Sequence, residues 1–206
     1  MNGEITPCYA VLPSKDIHEI SVLFPNVKIV FIARDILDRT WSALLMELRN
    51  NTLGLQPGKF LTRKITKEEE EMCNPNKYDD AYFIERMEHS THSLRSDYST
   101  CIKNWLQHIP SSQILIINYN DVSTKPKIVL QKMLDFIGIE SKLFLESLSH
   151  DVLHQHVNSG SGKYEIRPKL RKKMEDFLRS YAKEFNQLLE SLGYNWIVDE
   201  YENDNT

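Results

Sequence analysis

Arg34 and Ser42 stand eight residues apart, and a guanidinium paired with a hydroxyl is a natural holder for a phosphate monoester. Arg34 follows Lys28-Ile29-Val30-Phe31-Ile32-Ala33, an apolar run rich in β-branched residues, which predicts a strand covered on both faces in a parallel sheet. From Asp35 the apolar residues change to helical spacing, with Ile36, Leu37, Thr40, Trp41, Leu44, Leu45 and Leu48 on one side. Arg34 is thus placed at the carboxyl end of a strand, where open α/β sheets take ligands, and Ser42 about two turns along the next helix. An arginine and aspartate at a strand end are also a common surface ion pair, so the weight falls on their company along the chain.

Arg34-Asp35, Arg39 and Ser42 in this spacing resemble the 3′-phosphate-binding motif of sulfotransferases, enzymes that use 3′-phosphoadenosine 5′-phosphosulfate (PAPS). Ile36 replaces the more usual proline and leaves both phosphate ligands in place. Gly3-Glu4-Ile5-Thr6-Pro7-Cys8-Tyr9 is similar to the segment preceding that motif in carbohydrate-type and bacterial members. Tyr98 to Trp105, Gln113-Ile114-Leu115-Ile116-Ile117 and Asn120-Asp121-Val122 resemble the family's Tyr…Trp helix, its next strand and the following turn. Val157 to Tyr164, ahead of a helix finishing at Gly193-Tyr194-Asn195-Trp196, is similar to the second phosphate loop and last helix. The likeness covers nearly the whole chain and is loosest between about Asn51 and Leu94.

The resemblance implies an α/β fold, a three-layer sandwich with a central parallel β-sheet flanked by helices, like that of P-loop NTPases. It implies PAPS as co-substrate and 3′-phosphoadenosine 5′-phosphate (PAP) as product. Arg34 and Ser42 would hold the 3′-phosphate, and Tyr98 would approach the nucleotide. A loop from Gly160, with Gly162, Lys163 and Tyr164, would close over the donor, although the family's basic residue falls nearer the position of Gly162. The acceptor would carry a hydroxyl or an amine, with glycans among the acceptors of the family. The variable stretch after Asn51 would help shape the acceptor pocket.

The family's 5′-phosphosulfate loop, a Gly-rich turn with Lys-x-Gly-Thr-Thr, would lie some tens of residues before Gly3 and is not in this sequence. The expectation is an N-terminally truncated fold carrying mainly the 3′-phosphate half of the donor site. Gly54 to Phe60 is no substitute, having one residue too few between its glycines and Phe60 where a phosphate loop needs Ser or Thr. That also disfavours a P-loop kinase. The acidic group that deprotonates the acceptor in carbohydrate sulfotransferases belongs to the same missing stretch, so the catalytic residue is unknown. Two classes therefore stay open: a sulfotransferase, or an inactive PAP-binding remnant or protein-interaction module.

With 206 residues, 41% hydrophobic and 26% charged, the chain can bury a substantial core. A net charge of −4 supplies no basic field for nucleic acid. Cys8, Cys73 and Cys101 are widely spaced, which points away from a disulfide framework or zinc ribbon and toward a reducing compartment. Apolar runs of about six residues fall far short of the roughly 20 that span a bilayer, and no signal peptide is visible at Met1. The expectation is a cytoplasmic chain with neither membrane nor nucleic acid as a partner. His150, His154 and His156 cluster, but without a nearby cysteine they make a weak metal set, and no metal is expected.

Ser14 to Phe24 reads as a helix capped by Ser14, with Ile17, Ile20, Val22 and Leu23 inward. Lys67 to Glu71 reads as a solvated charge run on a short helix, and Tyr78 to His89 as another helix. Pro126 to Ile137 and Leu170 to Leu192 are helices ended by Gly138 and Gly193. Arg167, Lys169, Arg171, Lys172 and Lys173 read as a basic, solvated face. The whole is expected to be one domain over 1–198, with an acidic, frayed tail over 199–206. A missing strand would leave a sheet edge open to homo-oligomerisation.

Overall fold

The structure is a computed structural model describing residues 3–56, 63–140, 145–146, 148 and 164–201. Two parallel strands, β1 (Ile29–Ala33) and β2 (Ile114–Asn118), pair in register from Ile29 with Ile114 to Ala33 with Asn118. A helix, α1 (Ser14–Leu23), precedes β1, and between the strands come α2 (Ile36–Thr52), α3 (Lys67–Met72), α4 (Asp80–Glu88), α5 (Ser90–Ser96) and α6 (Tyr98–Leu106). After β2 follow α7 (Tyr119–Thr124), α8 (Pro126–Ile137) and α9 (Pro168–Ser191).

Alternation along the strands divides the core into two. Ile29, Phe31 and Ala33 with Ile114 and Ile116 face a large cluster built from α2, α4, α6 and α9, where Leu44, Phe83, Ile102, Leu170 and Phe185 are fully buried. On the other face Val30, Leu115 and Ile117 meet Val122, Val129, Met133 and Phe136 of α7 and α8. Helices thus cover both faces of a parallel sheet, as expected from the sequence. The coverage is unequal. Residues 114–117 are all buried, whereas Ile32 is 46% exposed, so β1 is less enclosed than its composition predicts.

Glycines end two helices as predicted, because the left-handed turn needed there costs other residues more: Gly138 has φ +79° and Gly193 φ +81°. The α1 expectation needs correcting. Pro13, not Ser14, is the N-cap, and the Ser14 hydroxyl lies 2.7 Å from His108 Nε2. Val22 and Leu23 are 66% and 70% exposed, and it is Ile17 and Ile20 of α1 that join the described core. The basic face at the start of α9 also differs. Arg167 turns inward, donating to the Tyr78 carbonyl at 2.8 Å and pairing with Asp80 at 2.8 Å.

The tail expected to fray from Asp199 is bonded as far as Tyr201. Asn186 of α9, 6% exposed, donates from Nδ2 to the Val198 carbonyl at 2.9 Å and accepts the Val198 N–H at 2.8 Å. Arg179 Nε donates to the Tyr201 carbonyl at 2.6 Å. These bonds satisfy backbone groups that no described strand pairs, and so hold the segment from Val198 to Tyr201 against α9. Gly160, Gly162, Lys163, the three clustered histidines and residues 202–206 lie outside the described residues. No described helix is long and apolar enough to cross a membrane.

Candidate anion site at the end of the parallel sheet

β1 ends at Ala33, and Asp35 caps α2 by accepting the Asp38 N–H at 2.8 Å, which fixes Arg34 in the connecting turn. The Arg34 guanidinium lies 5.4 Å from the ring centre of Tyr119, the first residue after β2, so it spans the carboxyl ends of both strands. Its ion pair with Asp38 is loose, at 3.7 Å between groups 31% and 58% exposed. Among the described residues its side chain makes no hydrogen bond. Such a pair contributes little and leaves the cation available to an external anion.

Asp35 does not neutralise Arg34. Its second carboxylate oxygen accepts the Tyr201 hydroxyl at 2.8 Å, while that hydroxyl accepts the Leu37 N–H at 2.9 Å. Burial pushes the Asp35 carboxyl above its ordinary range, with the two hydrogen bonds opposing. Burial, with the Asp35 charge next, pushes the Tyr201 phenol up as well. Nothing in the sequence marks Tyr201 as part of this site, because it is a lone aromatic residue in an acidic stretch with no periodic pattern.

Ser42 is half-buried, and among the described residues its hydroxyl has no hydrogen-bond partner. Beside it in the chain, Trp41 Nε1 donates to the Tyr164 carbonyl at 2.8 Å. That bond holds Tyr164, the last residue of the predicted second phosphate loop, against α2. Tyr98, by contrast, is 4% exposed, its ring set edge-on to Phe31 and Phe185 at 5.2 Å each. Burial pushes its phenol up to about 12. It packs the floor beneath the strand end, and its phenol feels the charges of Arg39, Asp35 and Arg34. Trp105, also buried, donates to the Tyr9 carbonyl at 3.2 Å and so ties the N-terminal Thr-Pro segment to α6.

Arg39 plays a different part from Arg34. Its Nη2 donates to Ser96 Oγ, to Thr40 Oγ1 at 3.0 Å and to the His92 carbonyl at 3.4 Å, bolting α2 to α5. Burial pulls this guanidinium's pKa down. Glu47 continues the contact by accepting from His92 Nε2 and pairing with Arg86 at 3.4 Å. Around Glu4, Thr6 and Tyr9 donate to its carboxylate at 2.9 and 2.8 Å and hold it below the usual range. That geometry suits a turn lock rather than a base, which needs a raised pKa.

Cys101 is buried at the back of this region, and burial pushes its thiol up to about 11, whereas Cys8 is exposed. Ellman's reagent at pH 8 is expected to consume Cys8 first and to reach Cys101 only on unfolding, as peptide mass spectrometry would report. A cleft of about 140 Å³ lies beyond β2, lined by Asn118, Asp121, Lys125 and Trp196 among others. Neither Arg34 nor Ser42 lines it. No group of three or more metal-ligating side chains occurs among the described residues.

Residues 13–184 match the family model described as the sulfotransferase domain. A solved sulfotransferase from Alicyclobacillus acidocaldarius is similar in fold, with a TM-score of 0.54 at 16% identity, over 88% of this chain and 62% of that one. This chain thus spans under two thirds of the neighbour's length. No curated protein matches it. A match across most of the chain, on a parallel sheet with helices on both faces, settles the grouping: the chain belongs to the sulfotransferase domain family.

Proposed function

We propose that this chain holds the 3′-phosphate of PAPS or PAP through Arg34 and Ser42, within a sulfotransferase that moves a sulfuryl group to a hydroxyl or amine, a glycan among the candidate acceptors. The observation that carries the reading is Arg34 itself: a guanidinium at the carboxyl end of a parallel strand, backed by Tyr119, with only a loose carboxylate partner. Ser42 adds a hydroxyl with no described partner. Gly162, Lys163 and Tyr164 belong to the same proposal as donor-binding residues, and of these the described Tyr164 is tied to α2 through its carbonyl and Trp41. Tyr98 acts beneath the site as packing, a change from the nucleotide contact expected of it.

The residues fit the nucleotide's chemistry, since a 3′-phosphate dianion suits a planar donor fork and a hydroxyl. PAPS when bound supplies the activated sulfuryl group. Arg34 holds and orients the donor by charge, and Ser42 donates to a phosphate oxygen. Transfer of this kind rests on positioning and electrostatic stabilisation.

Thermal shift with PAP beside adenosine 5′-phosphate tests the reading, because a ligand selective for the folded state raises its apparent stability. Stabilisation by PAP alone is expected, and a folded chain indifferent to PAP would sink the proposal. Ser42→Ala is expected to weaken PAP about tenfold, the worth of one hydrogen bond to a charged group, and to leave adenosine 5′-phosphate unchanged by calorimetry. Transfer of labelled sulfate from PAPS to an acceptor panel tests the activity. A homo-oligomer through the edge of β1 that pairs with no described strand belongs to the same proposal, and a monomer by light scattering at high concentration would remove it.

A further inference from the structure

We propose that Tyr201 is a positioning residue for donor binding: its hydroxyl holds the Asp35 carboxylate away from Arg34, which leaves that guanidinium free for a phosphate. The inference rests on the reading of Arg34 as the 3′-phosphate ligand.

A carboxylate adjacent in the chain to an arginine is a standing competitor for it, because guanidinium and carboxylate match as two parallel hydrogen bonds. Both oxygens of Asp35 are engaged elsewhere: Oδ1 accepts the Asp38 N–H and Oδ2 accepts the Tyr201 hydroxyl, each at 2.8 Å. A hydroxyl has one proton to give, and Tyr201 gives it to Asp35 while its lone pair takes the Leu37 N–H at 2.9 Å. One group therefore restrains the acid and caps the first turn of α2. With Asp35 withdrawn, the carboxylate that pairs with Arg34 among the described residues is that of Asp38, at 3.7 Å. Other charges acting on Asp35 are those of Asp38 and Asp199, both acidic and so unable to restrain it by attraction.

Tyr201 is delivered by a segment that is itself fastened. Asn186 clamps both backbone polar groups of Val198, and Arg179, pinned by Asp176 at 2.7 Å, clamps the Tyr201 carbonyl. The φ of +52° at Tyr201 is left-handed and uncommon for a residue with a side chain, so the surrounding bonds sustain it. Removing the hydroxyl alone leaves those backbone clamps in place.

The experiment is calorimetric titration of PAP and adenosine 5′-phosphate into the wild-type chain, Tyr201→Phe, Asp35→Asn and the double variant. Tyr201→Phe is expected to weaken PAP about tenfold with adenosine 5′-phosphate unchanged, since the freed carboxylate competes only for the 3′-phosphate site. Asp35→Asn in that background is expected to restore most of the affinity, because asparagine still caps Asp38 but offers Arg34 no charge. Wild-type affinity in Tyr201→Phe overturns the inference, as does an equal loss in the double variant, which would make the hydroxyl a fold support only. If Tyr201→Phe fails to fold, Asp35→Asn alone decides: affinity at or above wild type supports the inference, and a loss beyond about threefold overturns it. A wild-type chain that does not prefer PAP overturns the donor reading first, an outcome separable from the others.

Discussion

Replacing Arg34 by alanine is expected to weaken PAP binding by about two orders of magnitude, roughly 3 kcal/mol, while leaving the melting temperature nearly unchanged. The size follows from the ligand. A phosphate dianion brought to the end of the sheet gives up water on the side that faces protein, and the guanidinium is the described cation placed to compensate it. The small stability effect follows from the protein: Arg34 makes no described hydrogen bond and only a loose ion pair with a largely exposed Asp38. Binding and folding are therefore separable at this residue. Calorimetry with PAP and adenosine 5′-phosphate checks it, since the second ligand lacks the 3′-phosphate that Arg34 is proposed to hold. Equal loss for both would show that alanine had disturbed the turn itself. Arg34→Lys is expected to recover only part of the affinity, because an ammonium keeps the charge but not the two-pronged geometry.

Phe185→Ala carries the largest expected cost in stability, about 3 to 5 kcal/mol. The ring is fully buried in α9, edge-on to Tyr98 at 5.2 Å and to Trp196 at 6.3 Å, so its loss opens a cavity between the longest helix and the floor of the anion site. In a chain of this length the melting temperature should fall on the order of 10 °C. Urea unfolding of Phe185→Ala beside Phe185→Leu would check it, with leucine restoring a good part of the volume. An alanine variant within about 1 kcal/mol of wild type would mean that Tyr98 and Trp196 collapse into the space.

Much of the fold was legible because it is written in local pattern. The switch from a β-branched run to helical spacing at Asp35 located β1 and α2, and the apolar recurrence from Leu170 to Leu192 located α9. The placement of Arg34 at a strand end and of Ser42 on the following helix was legible because it is a local property of that junction. Three features were not. Val22 and Leu23 follow the periodicity of α1 but stay largely exposed, and periodicity reports a face without reporting what covers it. Arg167 sits among four other basic residues and differs only because Asp80, far away in sequence, receives it. Tyr201 reaches Asp35 across most of the chain, and its position depends on the Asn186 and Arg179 clamps, whose two partners carry no shared sequence signal.

The pairing of Ile29 with Ile114 also sets a schedule for the ribosome. About 85 residues separate the two, so at synthesis rates of roughly 5–20 residues per second β1 emerges some 4 to 17 seconds before its partner strand exists. During that interval Val30, Phe31 and Ile32 form an unpaired apolar strand, the kind of segment that chaperones capture and that seeds inclusion bodies.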